Sequence, residues 1–325
     1  MEKKNLIKLP TPLDFYGEIN ANEVFIKRDD MTDLAFGGNK VRKLEYFIAD
    51  AIKSNCDCLV TYGSPQSNHC RITAAAAIKF NLRPILILSE ESGINFNGNY
   101  FLYSVMDAEI HWTSTLKVPE TIKNVLGKLK KQGCHPYFIQ GGGHGNLGTH
   151  AYKEAFLELS NQMRTEPDFI FHATGTGTTQ AGLIVGSKQN QTKSKIVGIS
   201  IARKKNRCQE VIKESIIDYL SFYDSVKIIG DNDILVEDKY IGKGYSHIYP
   251  EVLETIKMAA KKSSIFFDPV YTGKAFFGMV DYIKNNNIRG KTIVFIHTGG
   301  TPLLFNYSNN FKEVKGEIVN EYFNM

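Results

Sequence analysis

The 325-residue chain has only five cysteines, Cys56, Cys58, Cys70, Cys134 and Cys208, an odd number without paired Cys-x-x-Cys spacing. This argues against a disulfide framework and a zinc site, and the expected home is a reducing cytosol. No stretch approaches 18 uninterrupted apolar residues, and Met1-Glu2-Lys3-Lys4-Asn5 leads into Leu6 without a long apolar run, so neither export nor a membrane span is expected. Neither charge sign dominates. The 39 basic and 34 acidic residues leave +5, and the basic ones are scattered apart from short runs such as Arg203-Lys204-Lys205. A nucleic-acid partner is therefore not expected, whereas a mildly positive surface suits small carboxylates. Internal repeats, low-complexity segments and a Pro/Ser linker are also missing. What remains, 42% hydrophobic and 22% charged, suits an ordered enzyme of one large or two interleaved domains.

Apolar runs alternate with helical patterns along the chain. Strands are expected at Val24–Arg28, Cys58–Tyr62, Pro84–Leu88, Ile110–Trp112 and Tyr137–Ile139, then at Asp168–His172, Ile196–Ile201, Ile265–Phe267 and Thr292–Ile296. Helical spacing follows Lys40, surrounds Ala74 to Ala77, spans Thr121 to Lys130 and begins again at Gln180. A strand feeding a helix through a polar turn is the unit of a parallel sheet, so the fold class is α/β. Three strand ends carry small polar and glycine residues. In open parallel sheets ligands lie beyond the carboxyl ends of strands, so these turns are expected to face one crevice.

The chemistry resides in those turns. In Gly37-Gly38-Asn39-Lys40 a lysine stands where a loop becomes a helix, beside glycines that allow close backbone approach, and such an amine can form a Schiff base with an aldehyde cofactor. An ordinary solvated lysine is the plainer reading of the same residues. Gly175-Thr176-Gly177-Thr178-Thr179 lies between a strand and a helix and can cradle a phosphate on its N–H groups; it lacks the lysine of a nucleotide P-loop and the full Gly-x-Gly-x-x-Gly spacing. Gln66-Ser67-Asn68-His69 opens a helix whose N-terminus favours an anion, although Ser67 or Asn68 also suits a simple cap and His69 a packing role. Tyr245 sits in a glycine-flanked loop and Tyr271 in Asp268-Pro269-Val270-Tyr271-Thr272-Gly273-Lys274; either hydroxyl can relay a proton in a closed pocket.

Taken together with His297-Thr298-Gly299-Gly300, these motifs resemble, in the same order over nearly the whole chain, the D-cysteine desulfhydrase and 1-aminocyclopropane-1-carboxylate (ACC) deaminase family. The resemblance implies pyridoxal 5'-phosphate as cofactor and the tryptophan-synthase β-like fold, fold type II, with two interleaved open parallel-sheet domains. It implies a large cofactor-binding domain of residues 1–45 and 151–325, and a small domain of residues 46–150 that closes over the substrate. Lys40 would hold the cofactor, Asn68 its ring hydroxyl, Gly175, Thr176, Gly177, Thr178 and Thr179 its phosphate, and Thr298 its ring nitrogen. Gln66, Ser67, Asn68, His69, Tyr245, Tyr271 and Thr272 would meet a small amino-acid substrate, with Lys40, Ser67, Tyr245 and Tyr271 catalytic. No metal is implied, and the family suggests a cytoplasmic homodimer.

Within the family the choice turns on Thr272. The deaminase pattern has a glutamate there, whose charge would keep the ring nitrogen protonated. A hydroxyl cannot supply that charge, which favours β-elimination from a D-amino acid, D-cysteine foremost, over opening an unactivated cyclopropane. ACC deamination, L-cysteate or another β-substituted amino acid, and a non-catalytic nucleotide-binding module remain the competing readings. Pro65 and Ser246-His247 depart from the commoner desulfhydrase wording and bear on the shape of the pocket.

Overall fold

The computed structural model describes residues 1–90, 95–223 and 230–312. In chain order the strands are β1 (Leu13–Ile19), β2 (Asn22–Lys27), β3 (Cys58–Gly63), β4 (Arg83–Ser89), β5 (Glu109–Thr113), β6 (Pro136–Ile139), β7 (Phe169–Thr174), β8 (Lys195–Ser200), β9 (Leu235–Glu237) and β10 (Thr292–Ile296). The helices are α1 (Asn39–Lys53), α2 (Asn68–Lys79), α3 (Gly98–Val105), α4 (Val118–Lys131), α5 (Asn146–Gln162), α6 (Thr178–Gln189), α7 (Lys205–Phe222), α8 (Pro250–Ser263), α9 (Thr272–Asn285) and α10 (Thr301–Asn306).

Two sheets result. One has the order β1-β2-β10-β7-β8-β9, parallel except for the antiparallel β1-β2 hairpin at its edge; the other, β5-β4-β3-β6, is parallel throughout. Near-continuous apolar runs such as Ile293 to Ile296 follow from helices covering both faces. On one face of the larger sheet Phe267, Phe276 and Phe295 pack in tilted and edge-to-face contacts with centroids 4.7 to 5.5 Å apart, and Tyr152, Phe156, Ile184 and Ile212 fill the other. Truncating any one of the three phenylalanines to alanine removes about 3–5 kcal/mol. Under the smaller sheet Leu59, Ile72 and Ile139 pack with Leu6, Val41, Leu44 and Ile48, so α1 begins beside one sheet and buries its apolar stripe against the other.

The structure corrects one expected strand. Ile265 and Phe267 are buried and Phe266 is exposed, which is strand-like alternation, but both edges of β10 are already taken by β2 and β7, and residues 265–267 join no sheet. The charged Arg28-Asp29-Asp30 triplet is structural. Asp29 receives a two-pronged hydrogen bond from Arg42 at 2.7 and 2.9 Å and the Tyr152 hydroxyl at 2.6 Å; Glu158 binds Arg42 and Lys27, joining α5 to α1 and β2.

Candidate active site

The carboxyl ends of β3, β6, β7 and β10 face one cavity of about 290 Å³, near the lower end of the usual size for small-molecule sites. The lysine corner reaches it through glycine-on-glycine contact. Gly38 has φ +128° and a Cβ there would lie 3.0 Å from the Thr298 carbonyl; one on Gly299, at φ +89°, would lie 2.6 Å from the Gly38 Cα. Asn39 N–H donates to that same Thr298 carbonyl at 3.0 Å. His297, behind the turn, is neutral: its Nδ1 accepts from Gly299 N–H at 3.2 Å, leaving Nε2–H to donate to Phe266 O at 3.0 Å. The corner thus sets Lys40 into the cavity wall beside Thr298.

Lys40 lines the cavity instead of standing free in solvent, and burial pulls its amine down from the ordinary 10.5 to about 8. Its neighbour Lys43, one turn along the same helix face, donates to Gly142 O at 3.2 Å, and burial followed by the Lys40 charge lowers it well below the usual range.

The glycine-threonine turn follows β7. Gly177 caps α6 in the left-handed conformation at φ +85°, where a Cβ would meet Ile212, and the first turn of α6, whose N–H groups lack helical partners, begins at the cavity. Gly175, Thr176, Gly177 and Thr179 line the wall; the Thr178 hydroxyl instead pairs with His144 Nδ1 at 2.8 Å. At the start of α2, Ser67 is the N-cap, accepting from Cys70 N–H at 3.2 Å, and Ser67, Asn68 and His69 all line the cavity. The Thr61 hydroxyl gives its proton to Ile139 O, so it accepts from His69 Nε2–H at 2.9 Å. That leaves His69 Nδ1 buried without a partner, and burial, then the charges of Lys40 and Lys43, hold the ring neutral. Tyr245 and Tyr271 hydrogen-bond to each other through their hydroxyls and line the cavity; burial raises the Tyr271 phenol well above its usual range.

Two expected substrate contacts are not part of the wall. Gln66 turns to α3, donating to Asn97 O and accepting from Asn99 N–H. Thr272 donates its hydroxyl to Asp268 Oδ2 at 2.7 Å, completing a cap in which the same carboxylate accepts from Val270, Tyr271 and Thr272 N–H. Among the cavity residues that escape the motif reading are Tyr62, Ser64, Gly141, Gly142 and Arg203, whose guanidinium donates to Gly175 O. The Gly141-Gly142-Gly143 run at the end of β6 was a visible signal; Arg203 showed only as part of a basic run. The wall carries Lys40 and Arg203 and, among the described residues, no aspartate or glutamate.

These residues fit pyridoxal phosphate: helix N–H groups and an arginine suit a phosphate, an amine near pKa 8 suits an aldehyde, and Asn68 and Thr298 supply polar groups for a pyridine ring. Sequence comparison agrees, and the chain belongs to the pyridoxal-phosphate-dependent enzymes, whose family profile matches residues 5–299. It is 35% identical over 314 residues to the D-cysteine desulfhydrase of Klebsiella pneumoniae (strain 342), covering 93% of this chain and 95% of that protein. The crystal structure of an ACC deaminase homologue superposes with a TM-score of 0.89 at 32% identity, covering 96% of this chain and 95% of that one. A cysteine synthase from Entamoeba histolytica shares the architecture at 17% identity and a TM-score of 0.69, over 98% of this chain and 94% of that one. The architecture is fold type II of these enzymes.

Proposed function

We propose that the enzyme is a carbon–sulfur lyase that converts D-cysteine and water to pyruvate, hydrogen sulfide and ammonia. The observation that carries this reading is the missing carboxylate: with none in the described wall, and with Thr272 turned onto Asp268, the ring nitrogen would meet the Thr298 hydroxyl rather than an acid. When bound, pyridoxal phosphate supplies an electron sink conjugated to the substrate's α-carbon, and without an acid at its nitrogen that sink is weak. A weak sink suffices when a thiol leaves from the β-carbon and fails for an unactivated ring. Likeness to the Klebsiella desulfhydrase supports the same choice.

Lys40 would bind the cofactor's aldehyde and then move the α-proton. Gly175 to Thr179 would grip the phosphate, Asn68 would donate to the ring hydroxyl, and Ser67 and the opening turn of α2 would hold the substrate carboxylate. The Tyr245–Tyr271 pair, hydrogen-bonded in the cavity wall, would supply the phenol that protonates the departing sulfur. The larger sheet, with residues 1–45 and 151–325, would hold the cofactor, and residues 46–150 would close over it. A cytoplasmic homodimer completes the proposal; five free thiols suit a reducing compartment, and among the described residues no helix is long and apolar enough to cross a membrane.

The test offers the holoenzyme D-cysteine, L-cysteine, L-cysteate and ACC while pyruvate, 2-oxobutyrate and sulfide are measured. Pyruvate with sulfide from D-cysteine is the expected result. Turnover of ACC to 2-oxobutyrate at a comparable rate would overturn the weak-sink argument, and Lys40→Ala should abolish the visible absorption of the holoenzyme.

A further inference from the structure

Asn68 lines the cavity with its side-chain oxygen already engaged by the protein. Oδ1 accepts from Arg71 Nη1 at 2.8 Å and from Asn99 Nδ2 at 2.9 Å, which uses both of its lone pairs. A carboxamide is planar, so fixing Oδ1 fixes Nδ2 on the opposite side. There it donates to no acceptor among the described residues. Asn68 can therefore present only N–H donors to whatever fills the cavity.

The group that fixes it is unusual. Arg71 is fully buried, yet none of its hydrogen bonds goes to a carboxylate: Nη1 also reaches Asn99 Oδ1 at 2.7 Å, Nη2 reaches Gly37 O at 2.8 Å, and Nε has no partner. Burying a guanidinium on neutral acceptors alone is costly. Asp268 acts on it only through space, and its pKa, drawn down by burial to about 10, still leaves it charged at neutral pH. Asn99 is fully buried as well and is held from both ends, its Nδ2 donating to Gln66 O at 2.7 Å and its N–H to Gln66 Oε1 at 2.9 Å. The frame runs from Gln66 through Asn99 and Arg71 to the carbonyl of Gly37, three residues before Lys40.

We propose that Arg71 is a positioning residue that locks the Asn68 amide as a donor and places a positive charge behind it, so that the ring hydroxyl oxygen of pyridoxal phosphate is held deprotonated. The inference rests on the cofactor reading of the cavity. A donor-only amide backed by a cation favours an anionic acceptor, and a hydrogen bond to a charged group is stronger than one between neutral groups.

The test compares pyridoxal phosphate with its 3-deoxy analogue, which lacks that hydroxyl, as ligands of the apoprotein by equilibrium dialysis. The readout is the ratio of the two dissociation constants in wild type, Arg71→Met, Arg71→Lys, Asn68→Ala and the Arg71→Met/Asn68→Ala double variant. Wild type should favour the natural cofactor about 10- to 100-fold, the usual worth of a hydrogen bond to a charged group. Arg71→Met and Asn68→Ala should each reduce that preference about tenfold, and the double variant should lose no more than either alone. Arg71→Lys keeps a charge in the core but lacks the planar fork, and serves where Arg71→Met does not fold; it should lower the preference about threefold or more. If the Arg71 variants weaken both ligands equally and keep the ratio, Arg71 is merely structural and the inference fails. If wild type binds neither ligand, the cofactor reading itself fails.

Discussion

Lys40 should behave as an amine of pKa about 8 in the apoprotein, because burial with no carboxylate in the described cavity wall disfavours its charged form. At pH 7 such an amine is neutral in about one molecule in ten, against about one in 3,000 for an ordinary lysine, an advantage of about 300-fold in nucleophile. The sign of the stability effect follows. Between pH 8 and 10.5 the unfolded chain still carries a proton that the native amine has lost, so this contribution makes the apoprotein more stable as pH rises through that window. Below it the buried cation costs up to about 3 kcal/mol, and Lys40→Met should recover much of that at pH 7 while destroying activity. Pulse acetylation of the apoprotein from pH 6 to 11, with the Lys40 peptide quantified by mass spectrometry, gives the titration directly. A midpoint near 8 is expected. A midpoint at or above 10, together with no gain in stability for Lys40→Met, would refute the reasoning.

Two further outcomes test the packing that supports the site. Gly299→Ala forces a left-handed residue and drives a methyl into Gly38; urea denaturation should show a loss of about 2–4 kcal/mol, with weaker cofactor binding because the lysine corner shifts. Glu158 is held at about 2 by Arg42 and Lys27 against the opposing effect of burial, so the stability it contributes is complete above about pH 4.5 and is lost as pH falls toward 2. Glu158→Gln should cost about 3 kcal/mol at pH 7 and flatten the acid side of the stability profile, as measured by denaturant unfolding at each pH.

Much of this was legible in the sequence because it is local. Two glycines before Lys40, followed by Val41, Leu44 and Ile48, announce a tight corner opening a half-buried helix, and the residues from Gly175 to Thr179 announce a turn between strand and helix. β1 gave little signal because it is an edge strand with Phe15 exposed and a register shift between Phe15 and Gly17, so its alternation is broken. β9 is only three residues long. Arg71 and Asn99 were invisible, and Arg203 showed only within a basic run, for another reason: each acts through partners brought near by the fold, and nothing beside them in the chain marks that role. Thr272 shows the limit from the other side. Sequence names the hydroxyl, but only the packing reveals that it caps a helix through Asp268.

The pairing of β2 with β10 bears on how the chain is made. β2 ends at residue 27 and β10 begins at residue 292, so 292 − 27 leaves a wait of 265 positions before the first strand's parallel neighbour is synthesised. At about 5–20 residues per second this is roughly 15–50 s on the ribosome. The four-stranded sheet, drawn entirely from residues 58–139, is complete long before then. The middle of the nascent protein can thus assemble first, and the opening hairpin has to be kept from other strand edges until β10 has been made.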